Sequence, residues 1–111
     1  MTARLAAHML VSALIRRVQD SGGFASVLHK GDAISGTILV QCLDKGKETG
    51  LFERISDYAG GYRLVACGPD KDGGPHLVAD YIARRRRSDP DLWLIELDIV
   101  DAERLAVETL C

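Results

Sequence analysis

Four consecutive arginines, Arg84 to Arg87, run into Asp89-Pro90-Asp91 and the chain's one tryptophan, Trp93, and no other stretch offers as much chemistry. Guanidinium forks bind phosphate oxygens in pairs, and an indole ring beside them offers a face on which a base stacks. Arg84, Arg86, Arg87 and Trp93 are therefore candidate ligand-binding residues for a phosphate or RNA-type anion. Arg85 reads differently. At 3.6 residues per turn it projects onto the apolar face formed by Leu77, Val78, Tyr81 and Ile82, whereas the flanking arginines diverge from that face. A guanidinium among apolar side chains needs a carboxylate partner, so Arg85 is expected to pair with Asp89 or Asp91. With Pro90 ending the helix, these residues read as a structural latch between the helix and the following strand.

Other chemistries find no support. His8, His29 and His76 are scattered, and Cys42, Cys67 and Cys111 lack metal-type or CxxC spacing. Neither a metal site nor a cofactor is expected, and the odd cysteine count reads as reduced thiols in a cytoplasmic protein. Lys30-Gly31-Asp32 through Gly36 has no Gly-Lys-Ser/Thr ending and leads into a strand, so it is read as a turn and not a phosphate loop. Gly68 to Gly74 lacks the spaced oxygens of a calcium loop. No serine sits in a nucleophile elbow and no pair of carboxylates suggests acid and base roles, so no catalytic residue is assigned and the reading leans away from an enzyme.

The bounds agree with a binding role. A chain of 111 residues, 47% hydrophobic and 27% charged, makes one globular domain over residues 1–111. A net charge of -2 argues against a surface that is wholly a nucleic-acid footprint. From Asp89 onward only Arg104 opposes seven acids, so any anion site must be local to the arginines. The apolar run Leu5 to Ile15 is followed by Arg16-Arg17 where a signal peptide would carry small residues, and it is too short to span a bilayer. No membrane partner is expected.

The elements that must position these residues follow from periodicity. Ala7, Val11, Leu14 and Val18 mark a helix running to about Ser21 and stopped by Gly22-Gly23, with Leu5 and Met9 opposite its main stripe. Whether residues 4–10 start as helix or strand stays open. Phe24 to Lys30, Thr37 to Leu43, Leu51 to Asp57 and Tyr62 to Cys67 are expected to form an antiparallel meander of up to four strands, with Asp44 to Gly50 as a hairpin loop. A second helix spans about Pro75 to Arg87. Leu92 to Val100 reads as the most apolar strand, with Trp93, Ile95, Leu97 and Ile99 on one face. Asp101 to Cys111 matches either a returning hairpin strand or a short helix, and the hairpin is preferred. The fold expected is α+β, a mainly antiparallel sheet of four to six strands with two helices packed on one side, in the order α-β-β-β-β-α-β(-β).

Leu14-Ile15-Arg16-Arg17, Lys30-Gly31-Asp32 with Gly36, and Arg84 to Arg87 leading into Asp89-Pro90-Asp91-Leu92-Trp93 together resemble domain of unknown function 1491, a family of small alphaproteobacterial proteins. Asp101-Ala102-Glu103 departs from the family's tight glycine turn. The resemblance implies a bacterial cytoplasmic protein and no particular activity. The functional expectation is a non-enzymatic binding or regulatory domain, with a protein partner or a homodimer through the first helix or a sheet edge. A phosphate or RNA ligand at the arginines is one alternative and a small enzyme of unknown reaction the other, and nucleic acid is the weaker candidate partner.

Overall fold

The structure, a computed structural model, describes residues 5–57, 59–70 and 73–111. Its elements are α1 (Ala7–Asp20), β1 (Phe24–His29), β2 (Ile38–Asp44), β3 (Lys47–Ser56), β4 (Tyr62–Ala66), α2 (Pro75–Ser88), β5 (Trp93–Asp98) and α3 (Ala102–Leu110). The α+β class and the element order through β5 are those expected. Arg4 and Tyr58 lie outside the described residues, as do residues 71 and 72 of the Gly68 to Gly74 loop.

One sheet carries five strands in the order β1-β5-β2-β3-β4. Only β2, β3 and β4 form the expected meander. β1 pairs with β5 instead of β2, and β5 runs parallel to β2 while antiparallel to β1. The cause lies in β5 itself: from Trp93 to Ile95 every side chain is buried, and a strand apolar on both faces belongs at the middle of the sheet, where α1 and α3 cover one face and α2 the other. The polar Asp44 to Gly50 loop is also tighter than expected. Lys45 (φ 52°) and Gly46 (φ 80°) make a two-residue turn, and β3 resumes at Lys47.

Helices cover both faces and not one. Ile38, Val40, Cys42, Trp93, Ile95 and Leu97 face α1 and α3, meeting Leu10, Val11, Leu14 and Val18 of the first and Leu105, Ala106 and Leu110 of the second. Leu39 and Leu94, on the opposite side of the same strands, and Leu51 of β3 meet Val78 and Ile82 of α2. Each such aliphatic side chain withdrawn from water contributes roughly 1.5–3 kcal/mol.

The C-terminal segment is α3 and not a hairpin strand. With β1 and β2 on its two sides, β5 has no free edge to receive one. Helical spacing also buries Ala102, Leu105, Ala106 and Leu110, whereas the strand alternation would have enlisted Val107, which is exposed. Asp101 turns the chain into α3 with a left-handed backbone (φ 60°).

Candidate functional site

Residues 30–36 form a loop that ties α1 to the start of β5. The Asp32 side-chain oxygen Oδ2 accepts hydrogen bonds from the amides of Ile34 (3.0 Å) and Ser35 (2.9 Å) and from the Ser35 hydroxyl (3.3 Å). The Ser35 amide first, then that of Ile34, hold the Asp32 carboxyl below its ordinary value. Asp32 also donates its amide to the Asp91 carbonyl (2.9 Å) and accepts the Trp93 indole N–H at its own carbonyl (2.7 Å). Gly31 and Gly36 flank this contact. A Cβ on either would overlap the Asp91 carbonyl oxygen, which is why the loop needs glycine at both places. The loop's carbonyls of Ala33 and Ile34 accept the His8 and Ala7 amides (3.0 Å each). They serve α1 in place of a side-chain cap, which Ala6 cannot provide.

This arrangement removes Trp93 from the ligand candidates. The ring is buried against α1 and α3, its N–H is committed to Asp32, and α2 with its arginines lies across the sheet. No base can stack on it.

Arg85 is half-buried, and its carboxylate partner is neither Asp89 nor Asp91. It makes a two-pronged bond with Glu53 of β3 (2.8 and 3.0 Å) and donates to the Tyr81 hydroxyl (2.8 Å). Asp89 instead accepts the Asp91 amide (3.1 Å), and Asp91 is exposed. The reason is placement: the buried face of α2 points at the sheet, where Glu53 follows Leu51 on the same side of β3. The Glu53 bond raises the Arg85 pKa further above its ordinary value. Burial raises the Cys67 thiol and the Tyr81 phenol beside it. The signal available in the sequence was an acid alternating with a core leucine.

Arg84, Arg86 and Arg87 are exposed and divide between two clefts that share Arg87. Arg86 and Arg87 line a shallow cleft of about 390 Å³ with His29, Ala83 and Pro90. Arg84 and Arg87 line another, of about 370 Å³, beside Asp80 and Leu77. Nε2 of His29 is buried without a hydrogen-bond partner among the described residues. Those residues hold no group of three or more metal-type ligands.

The feature that sequence reasoning placed wrongly is β1, expected between helix 1 and β2 and found at the margin of the sheet. Phe24 is 76% exposed, Leu28 49% and Val27 40%, and the strand carries neither a formal charge nor a proline. The opposite margin, β4, carries the exposed Arg63, and α3 packs against it as α1 does against β1. There Arg54 lies 3.5 Å over the Tyr62 ring and donates to the Leu110 carbonyl (2.7 Å). A register shift between Val27 and His29 turns Leu28 out of the ladder and returns His29 opposite Leu94, on the α2 side. The regular edge is thus Phe24 to Val27. The available signal was an apolar run lacking the two-residue alternation of a strand covered on one face.

A family model described as a protein of unknown function, DUF1491, matches residues 5–107. A DUF1491 family protein from Caulobacter crescentus CB15 has a crystal structure that is 32% identical in sequence, covering 92% of this chain and 94% of that one, with a TM-score of 0.78. An NMR structure of a DUF1491 family protein from the same organism is 31% identical over 97% and 96% of the two chains, again with a TM-score of 0.78. The solution structure of protein Atu0922 from A. tumefaciens is 30% identical, covers 97% and 92%, and has a TM-score of 0.70. Among curated proteins nothing matches. Matched along nearly its whole length, with the Gly-Asp loop and the Asp-Pro-Asp-Leu-Trp segment joined in space, the chain belongs to the DUF1491 family.

Proposed function

We propose that the chain is a non-enzymatic binding domain that captures its partner by strand addition along β1. The observation that carries this reading is the contrast between the sheet's two margins: β4 carries the exposed Arg63 with Arg54 of β3 over its Tyr62 ring, while β1 is apolar and without a formal charge. An edge strand of that kind presents a row of unsatisfied main-chain groups and templates another strand. A second copy of the chain, giving a homodimer, and another protein are the partners such an edge admits. The reading places the domain in the reducing cytoplasm, in keeping with its three free thiols, and none of its described helices is long and apolar enough to cross a membrane. The exposed Leu5 and Met9 of the α1 region make a weaker surface, because they stand apart from any paired edge.

The test is site-specific photo-crosslinking in the host cell, with benzoylphenylalanine in place of Phe24 and, as control, in place of Val107 on α3. Adducts at position 24 and none at 107 are expected. Equal capture at both positions, or none at either, would contradict the β1 reading.

A second reading is a phosphate or RNA ligand at Arg84, Arg86 and Arg87, favoured by the cleft that Arg86 and Arg87 share with the unpartnered His29 nitrogen. Its affinity would fall steeply with added salt through counterion release. Salt-independent RNA binding, or binding that survives replacement of all three arginines, would exclude it.

A further inference from the structure

We infer that the bulge at Leu28 is a built-in stop on β1: it confines strand addition to Phe24 to Val27, so that a partner is taken up over a short stretch and released again. The inference rests on the β1 reading and adds how that edge is regulated. It starts from what β1 lacks. Sheet edges are commonly blunted by a charged side chain, a proline, a covering segment or a bulge. Phe24–His29 contains no formally charged side chain and no proline, and α1 packs on the Ala25 face of the strand. The guard that remains is the bulge.

The register shows what the extra residue does. Phe24, Ala25, Ser26 and Val27 stand opposite Asp98, Leu97, Glu96 and Ile95 in unbroken sequence. The next residue of β5, Leu94, is met by His29, so Leu28 has no counterpart, and it is 49% exposed. A bulged residue is left unpaired, bends its strand and increases the local twist. An incoming strand therefore follows β1 for roughly 13 Å at strand rise and parts from it at Leu28. Beyond His29 the chain leaves the sheet for the loop of residues 30–36, which is tied to Asp91 and Trp93. The edge has no second stretch to offer.

Leu28 is also a residue that the ladder can spare. Without it Val27 would still face Ile95 and His29 would still face Leu94, so the register and the side of the sheet each residue takes are both kept. The extra residue serves the edge and not the pairing with β5. Each further pair of residues in an added strand brings main-chain hydrogen bonds with it, so an edge cut short binds less tightly than an unbroken one. The bulge thus sets the difference between brief capture and lasting strand pairing.

The experiment is deletion of Leu28 from the full chain, with the chain's own second copy as the probe strand and sedimentation up to about 1 mM, a range that reaches weak association. The deletion variant is expected to self-associate on the order of tenfold more tightly than the wild type, or to associate where the wild type stays monomeric. Leu28→Ser, which keeps the bulge and removes the apolar side chain, is expected to be no tighter than the wild type. A folded deletion variant that gains nothing, or Leu28→Ser as tight as the deletion, would overturn the inference. Circular dichroism establishes that each variant is folded. If the deletion is not, amide exchange of the wild type decides: protection gained at high concentration must end at Val27, and protection that runs through the Leu28 amide, or none along β1, overturns the stop. A deletion variant that gains nothing while adducts still form at position 24 in the host cell would remove the stop alone and leave the β1 reading standing, whereas loss of both would remove both.

Discussion

Asp32 joins three parts of the chain although its side chain contributes little to the core. Its carboxylate closes the turn to Ile34 and Ser35, and its main chain meets Asp91 and Trp93. A carboxyl whose pKa is lower in the folded than in the unfolded chain adds stability above its unfolded value, near 3.9, and loses that contribution as the pH falls through the folded value. Asp32→Ala is therefore expected to melt below the wild type at pH 7, with the gap closing toward pH 3. A gap that persists or widens in acid would show that the carboxylate is not the source. Arg85 makes the matching case for a half-buried charge. Arg85→Ala strands Glu53 and is expected to cost about 1–2 kcal/mol in chemical denaturation, while Arg86→Ala stays within about 0.5 kcal/mol. Replacing Arg85 and Glu53 together by apolar residues should recover part of the loss. Equal melts for Arg85→Ala and Arg86→Ala would refute the assignment. Helical phase was enough to separate Arg85 from its neighbours in the sequence. Its partner was not legible, because Glu53 lies 32 residues away and is brought close only by the way β3 enters the sheet.

Between elements, the loop of residues 30–36 is read as a turn from sequence alone, but its work as a brace is not. The Trp93–Asp32 bond spans 61 residues, and nothing local announces it. Gly31→Ala and Gly36→Ala are each expected to destabilise by about 1–3 kcal/mol or more, since an added methyl would strike the Asp91 carbonyl and the Trp93 ring. Gly46→Ala tests a different cause at a turn where φ is positive and the space around the glycine is open. Its cost should be nearer 1 kcal/mol. If thermal melts show Gly31→Ala and Gly36→Ala to be silent, close approach is not what the glycines supply. Periodicity was informative for α1, α2 and the two faces of β5, whose apolar positions are unambiguous. It failed for α3, where Leu105 and Thr109 fit both periods and the decision depended on whether β5 had an edge to spare. It failed likewise for the order of the strands, because hairpin logic favours sequential neighbours, while the demand of β5 for burial on both sides outweighed it.

Across the molecule, the three helices of the described residues cover two faces of one sheet and leave two margins that differ in charge. β4 carries Arg63, with Arg54 over its Tyr62 ring; β1 is apolar and without a formal charge. The arginines that first drew notice in the sequence divide accordingly. Arg85 holds α2 to β3, while Arg86 and Arg87 line the cleft beside His29. The central claim is that β1 takes up a partner's strand, and a second copy of the chain is the partner that a purified sample supplies. Amide hydrogen exchange measured across a concentration series tests it most directly. The account predicts that outward-facing amides of Phe24 to Val27 exchange quickly in dilute protein and become protected as concentration rises, with those of β4 unchanged. Exchange in β1 that is independent of concentration, or protection that grows at β4 or α1 instead, would contradict it.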